Sequence, residues 1–303
     1  MKKKITSVVI VTSIFLIIFI LVGCLYKVEY KKNEDVEDIS KEKLLNFILC
    51  QQNTDGGFSV EVPNLYSDLS DTYCTIMALK SLEEDIDVKS IHMYLKEINL
   101  ADLRDTNNSI TLTNYYHYIK ICRVVGFCVD ENIISQVLQD VKKIMEEQRL
   151  TDIVNGYEEV IKNSCELLWL YNEEVDIEGL LISLVERINL DDFSTDMRSL
   201  ISTSCYIAEL IDQKFLIDKG DLVQYIDNYI LLGNEIDIGQ IWDIYTIAQY
   251  CGYNIGNYVL INTERIWVDN GYKISSNAEN CNIKATFQVL FMCKELNLNI
   301  DKT

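Results

Sequence analysis

The chain has 303 residues, 49% of them hydrophobic, and a formal net charge of −20 at pH 7. Such a negative charge repels nucleic-acid phosphates and anionic lipid surfaces, which argues against a nucleic-acid-binding role. The single proline and the 12 glycines favour a mostly helical chain, because both residue types destabilise helix interiors. The apolar content is enough for a large core, so we expect a folded domain of the all-α class.

The N terminus has the features of a targeting segment. Three lysines at positions 2–4 precede an apolar run over 5–22 that only Thr and Ser interrupt. The run ends in Leu21-Val22-Gly23-Cys24, which resembles the lipobox of bacterial lipoproteins. The resemblance implies a signal peptide over 1–24 and a lipid, of the palmitate type, attached to Cys24.

The alternative is an uncleaved single transmembrane helix, since an apolar run of this length lies near the lower limit for spanning a bilayer. Both interpretations place the rest of the chain on the extracytoplasmic face of the membrane, because the lysines keep the N terminus inside. Residues 25–38 are highly charged and are predicted to form a flexible tether.

A helix, a tight turn and a second helix are predicted between residues 44 and 82. An apolar segment ends at Gln51-Gln52, and Asp55-Gly56-Gly57-Phe58 follows. Gly56 and Gly57 tolerate positive φ, and Asp55 can accept hydrogen bonds from nearby backbone, so we predict a structural turn that folds Phe58 back. We expect the second, buried helix to begin at Asp71.

This order of elements resembles the repeat of protein prenyltransferase β-subunits and of squalene and oxidosqualene cyclases. The resemblance implies a toroid of paired α-helices around a central cup. The segments Asn155-Gly156-Tyr157 and Asp269-Asn270-Gly271-Tyr272 resemble shorter versions of the same turn.

A second signal recurs along the whole chain: an apolar residue, then Asp or Asn as a helix N-cap, then a helix with one apolar face. The predicted caps are Asp87, Asp130, Asp176, Asp218, Asn254 and Asn299. The segments that precede these caps are apolar on more than one side, as expected for helices buried between two layers. Residues 39–303 are therefore predicted to form six helix pairs, which fit an (α/α)6 toroid or an open superhelix. The resemblance implies the closed toroid, because the resembled family uses six pairs.

Few residues point to catalysis or to metal binding. The two histidines are His92, expected on a solvated helix face, and His117, expected on a buried helix. The resembled prenyltransferases bind zinc through an Asp-x-Cys motif, which this sequence lacks, so we predict no metal, no cofactor and no catalytic residue. Asp191 and Asp192 are predicted to lie in a surface turn, and most cysteines to be buried structural thiols.

Polar residues on the buried helices remain as candidates for binding in the cup. They are Asp71, Tyr73, Tyr115, His117, Glu166 and Asp243. An acidic, tyrosine-lined cup suits an apolar, a sugar or a cationic ligand. We therefore expect a membrane-anchored envelope lipoprotein that binds an unknown small ligand or a protein partner without catalysis. The alternative is an envelope enzyme, like the terpenoid cyclases and prenyltransferases, acting on an isoprenoid or a carbohydrate.

Overall fold

A computed structural model describes residues 41–59, 66–105, 107–147, 158–173, 175–213, 216–233, 237–268 and 271–298. These residues form twelve α-helices, one short 3-10 helix and one pair of two-residue strands, which confirms the all-α prediction. The helices are α1 Lys41–Leu49, α2 Leu69–Ser81, α3 Val88–Glu97, α4 Asn108–Val125, α5 Glu131–Glu147, α6 Glu158–Leu170, α7 Ile177–Val185, α8 Thr195–Leu210, α9 Lys219–Leu231, α10 Ile238–Cys251, α11 Gly256–Arg265 and α12 Ile283–Glu295. The 3-10 helix is Leu100–Leu103, and the antiparallel strands are β1 Trp267–Val268 and β2 Gly271–Tyr272.

The even-numbered helices contact one another in sequence order. Each of α2, α4, α6, α8 and α10 packs against the next even-numbered helix, and α12 packs against α2. The odd-numbered helices each pack on the even-numbered helix that follows them. The core consequently lies along the even-numbered helices, whose apolar residues are buried on more than one side.

Helix starts follow the predicted capping pattern in part. The prediction of Asn254 as a cap is wrong, because the N-cap of α11 is Ile255, which makes no side-chain capping hydrogen bond. The side chains of Asp87, Asp176 and Asp218 each accept a hydrogen bond from a backbone N–H in the first turn of α3, α7 and α9, which confirms these three caps. The prediction that α2 begins at Asp71 is wrong. Its N-cap is Asp68, whose Oδ1 accepts the Asp71 N–H at 2.9 Å.

The turn at residues 55–58 joins α1 to α2 through side-chain hydrogen bonds. Asp55 Oδ1 accepts the Gly57 N–H at 2.9 Å and the Ser67 hydroxyl at 2.5 Å, so it ties the two ends of the loop together. Phe58 is 3% exposed. Only Gly56 of the two glycines has positive φ, at +96°, whereas Gly57 is required because a Cβ there would lie 2.5 Å from the Ser67 side chain.

A second copy of this arrangement lies at the start of α12. The Phe58 N–H donates to the Thr72 hydroxyl at 3.0 Å, and the Tyr272 N–H donates to the Thr286 hydroxyl at 3.1 Å. Both pairs are separated by 14 residues, and both aromatic residues are buried. The likeness between the two turns thus extends to a threonine in the following helix, which the sequence analysis did not single out.

Several sequence predictions fall outside the described residues. These are the lipobox with Cys24, the tether over 25–38, the turn at 155–157 and the cap at Asn299. Within the described part of the chain, no helix combines the length and the apolarity needed to cross a membrane.

Some of the described cysteines are buried and others are exposed. Cys74, Cys122, Cys165, Cys205 and Cys293 are buried, as the packing interpretation predicts. Burial raises the pKa of the Cys122, Cys165 and Cys293 thiols to about 12, so these groups are protonated near neutral pH. Two further cysteines, Cys50 and Cys128, are exposed.

Candidate ligand-binding cup

A cavity of about 640 Å³ lies where the N-terminal halves of α2, α6, α8, α10 and α12 meet the middle of α4. Its lining residues are Ser70, Asp71, Tyr73, Cys74, Tyr116, His117, Glu158, Lys162, Asn163, Ser199, Ser202, Thr203, Asp237, Ile238, Gly239, Trp242, Asp243, Ile274, Asn282, Lys284, Ala285, Phe287 and Gln288. We call this cavity the cup. Its volume falls within the roughly 300–1,000 Å³ of typical small-molecule sites.

Acidic and amide groups at the cup belong in part to helix N-termini. Asp237 and Asn282 are the N-caps of α10 and α12, Asp71 lies in the first turn of α2, and Glu158 is the first residue of α6. Such groups satisfy free backbone N–H groups and interact favourably with the positive end of the helix dipole. Much of the negative charge at the cup is therefore accounted for by helix formation.

Aromatic rings form a connected wall on one side of the cup. Tyr73 stacks on His117 with ring centroids 5.1 Å apart and meets Phe287 edge-on at 6.2 Å. Phe287 in turn contacts Trp242 at 6.1 Å. Because each ring is braced by the next, the wall presents a preformed apolar surface to any ligand in the cup.

A buried ionic network supports this wall from behind. Glu166 accepts hydrogen bonds from Tyr116 at 2.9 Å and Tyr206 at 2.6 Å, and forms an ion pair with Lys120 at 2.5 Å. Burial acts to raise the pKa of Glu166, but the Lys120 ammonium and the hydrogen bonds outweigh it and hold that pKa below its ordinary value. Glu166 is consequently ionised at neutral pH and fixes the orientation of the Tyr116 ring, which lines the cup.

Asp243, which follows Trp242 on α10, belongs to a second network at the cup. Its Oδ2 accepts hydrogen bonds from Arg198 Nε at 3.2 Å and from the Ser199 hydroxyl at 2.9 Å. Arg198 also donates to Tyr229, which donates to Gln240. Burial raises the pKa of Asp243, although Arg198 and Ser199 act in the opposite direction. A smaller cavity of about 450 Å³ adjoins the cup here and shares Asp243 with it.

Asn163 is a buried polar residue of the cup. It is 4% exposed, it lines the cup, and its Nδ2 has no hydrogen-bond partner in the described part of the chain. A buried amide donor without an acceptor costs about 1–3 kcal/mol. Native structures rarely leave such a group unsatisfied, so each case calls for an explanation, such as a bound ligand.

Four of the six residues predicted to line the cup do so: Asp71, Tyr73, His117 and Asp243. Glu166 lies behind the lining. Tyr115 is placed elsewhere: its hydroxyl donates to Asp140 on α5 at 2.8 Å and accepts from Arg104 at 3.1 Å. Successive residues of an α-helix point about 100° apart, so of the neighbours Tyr115 and Tyr116 only Tyr116 reaches the cup.

Sequence reasoning missed Lys162, Asn163, Trp242 and Phe287. A usable signal was present in α6, where the charged residues Glu158, Lys162 and Glu166 recur every four residues. Such spacing places polar groups on one face. Lys162 Nζ lies 4.0 Å from the Tyr206 ring centroid and 5.8 Å from that of Trp242, a cation–π arrangement.

The remaining candidates for chemistry lie away from the cup. Asp191 is exposed, and its backbone N–H donates to the Asn189 side chain within a surface turn. His92 was expected on a solvated helix face. Instead, its Nε2 is 3.0 Å from the Val125 carbonyl oxygen, and its ring contacts Phe127. Among the described residues, no three His, Cys, Asp or Glu side chains come together in a way that could hold a metal ion.

Comparisons with protein-family models, with curated proteins and with solved structures find no match to this chain. The function must therefore be argued from the cup itself.

Proposed function

We propose that this protein is an (α/α)6 toroid that binds a small polar ligand in its cup, without catalysis. The cyclic contacts of the six even-numbered helices support the toroid, because α12 returns to pack on α2. Alternation of one-faced and buried helices supports the two concentric layers. An open superhelix would leave α2 and α12 as separate ends.

The observation that carries the binding function is the Asn163 amide. It is buried in the wall of a preformed cavity, and its Nδ2 lacks an acceptor. More than half of the lining residues are polar or charged, so the cup is suited to a ligand with hydrogen-bonding groups. Aromatic rings provide the apolar contact that such a ligand also needs.

For the whole chain we propose a lipoprotein held at the extracytoplasmic face of the cell membrane by a lipid on Cys24. The sequence Leu21-Val22-Gly23-Cys24 after a basic and apolar segment supports this anchor. A diacylglycerol anchor holds a protein stably, whereas one acyl chain binds membranes only marginally. The domain over 39–303 would then present its cup outside the cytoplasm, and a single N-terminal transmembrane helix would have the same effect.

The binding function is tested by tryptophan fluorescence on the full chain. A panel of sugars, amino acids, dipeptides, nucleosides and polyamines is titrated into the protein, and a ligand in the cup should change the emission of Trp242. The Trp242→Phe variant should lose this change, and Trp169→Phe, altered at an exposed site, should keep it. The proposed binding function would be ruled out if no compound of the panel changed the tryptophan emission. It would also be ruled out if the change persisted in the Trp242→Phe variant.

The second candidate is an enzyme acting on an isoprenoid or a carbohydrate, and the position of Asp243 at the cavity, where burial raises its pKa, favours it. A carboxyl group with a raised pKa beside a cavity is a candidate for general acid–base chemistry. Against this, Arg198 and Ser199 already occupy Oδ2 of Asp243. Turnover of farnesyl diphosphate or of a disaccharide that Asp243→Asn abolishes would establish the enzyme instead.

A further inference from the structure

The six acidic and basic side chains that line the cup are all engaged by the protein itself, which favours a neutral ligand. Asp237 accepts the Gly239 N–H as a helix cap, and Asp243 is paired with Arg198. Lys162 lies over the Tyr206 ring. Acidic and basic groups are both present and are engaged by the protein itself, so neither a cation nor an anion would find an uncompensated opposite charge among these three side chains.

The polar lining also argues against a purely apolar ligand. Asn163, Ser202, Thr203 and Gln288 are all buried or nearly so, and all four line the cup. Ser202 already hydrogen-bonds to Asp243, but Asn163 Nδ2 has no acceptor in the described chain, and a hydrocarbon chain in the cup would leave that donor unsatisfied, which costs free energy. The ligand should therefore offer at least one hydrogen-bond acceptor to this polar lining.

The aromatic side adds a second requirement. Trp242 is partly exposed at the cup, and contacts with Tyr245, Phe287 and Phe291 at 5.6–6.1 Å hold its ring in place. A rigid indole suits a ligand with a compact face of C–H groups, while hydroxyl groups on its rim reach the polar side. A sugar ring combines a neutral charge, a C–H face and hydroxyl groups that both donate and accept.

We propose that the cup binds a neutral carbohydrate the size of a mono- or disaccharide. Its ring would stack on Trp242, and one of its oxygen atoms would accept a hydrogen bond from Asn163 Nδ2. This assignment rests on the proposed binding function and gives its ligand class. It also supplies the acceptor that the buried Asn163 amide lacks within the described chain.

The test is isothermal titration calorimetry on the full chain with glucose, N-acetylglucosamine, maltose and cellobiose. Farnesyl diphosphate, spermidine and trialanine represent an isoprenoid, a cation and a peptide. We expect at least one of the saccharides to bind and the other three compounds not to bind. Asn163→Leu keeps the number and branching of the side-chain heavy atoms, removes the amide donor, and should weaken saccharide binding at least tenfold.

Asn262→Leu is the matched control, because Asn262 is also buried but its Nδ2 donates to the Tyr258 carbonyl at 2.7 Å. It should leave saccharide affinity within twofold of the wild type. If Asn163→Leu fails to fold, Trp242→Phe replaces it, with an expected loss of threefold or more.

The possible outcomes distinguish failure of the carbohydrate assignment from failure of the proposed binding function. Binding of spermidine, trialanine or farnesyl diphosphate without any saccharide would overturn the carbohydrate assignment and leave the binding function standing. Saccharide binding that neither Asn163→Leu nor Trp242→Phe weakens would place the sugar outside the cup and also overturn the assignment. If none of these compounds binds and the fluorescence panel is silent, both proposals fail.

Discussion

Replacing Gly56 by alanine tests how closely the turn at residues 55–58 packs on α3. A Cβ at Gly56 would lie 2.2 Å from the Ser90 carbonyl oxygen and 2.7 Å from its carbon. Both are backbone atoms of α3, so no side-chain rotation can relieve the contact. The turn or the helix would have to move by about 1 Å, and such overpacking costs about 1–3 kcal/mol. The positive φ of +96° adds about 1–2 kcal/mol for a residue with a Cβ.

Gly126 provides a control that separates these two contributions. It caps α4 with a φ of +67°, and no atom lies within 4 Å of the position its Cβ would take. Gly126→Ala should therefore cost only the conformational part, about 1–2 kcal/mol. Gly56→Ala should lower the free energy of unfolding by about 2–5 kcal/mol in total.

Urea denaturation of the full chain, followed by circular dichroism at 222 nm, gives the two free energies directly. The informative quantity is the difference between the free energies of unfolding of Gly56→Ala and Gly126→Ala, because the cost of placing alanine at positive φ is common to both variants. Equal destabilisation would show that α3 does not abut the turn, and the packing described here would then be wrong.

Two further predictions concern Glu166 and Cys24. The folded-state pKa of Glu166 lies below its ordinary value of 4.5. Its ion pair with Lys120 therefore contributes stability above pH 4.5 that is lost as the pH falls through the folded pKa. The melting temperature of Glu166→Gln should thus lie below that of the wild type at pH 7, and the gap should narrow below pH 4.5; a constant gap down to pH 3 would contradict this. Metabolic labelling with a fatty acid should mark the wild type but not Cys24→Ser, and equal labelling would exclude lipidation at Cys24.

Local chemistry in the sequence was enough to predict the helices. Asp87, Asp176 and Asp218 act as caps as predicted, because capping depends only on residues within one turn. The apolar positions of the one-faced helices were also predictable from their spacing; for example, Leu222 and Ile226 on α9 are both fully buried. The start of α2 was missed because Asp68 and Asp71 are equally good caps in isolation.

Local pattern cannot determine which side of a helix faces the cup when the helix is apolar all round. On α4, Tyr115 and Tyr116 are adjacent and chemically alike, yet Tyr115 pairs with Asp140 on α5 and Tyr116 lines the cup. Rotation of such a helix is set by the neighbours on both of its sides.

The sequence by itself therefore determined an all-helical chain, three of its capping residues and the buried turn at Phe58. Only the tertiary structure decided that α12 returns to α2, and that Asn163, Trp242 and Phe287 meet around one cavity. These residues lie on three helices far apart in the chain. Their proximity arises from long-range packing between helices, which no periodicity within a single segment encodes.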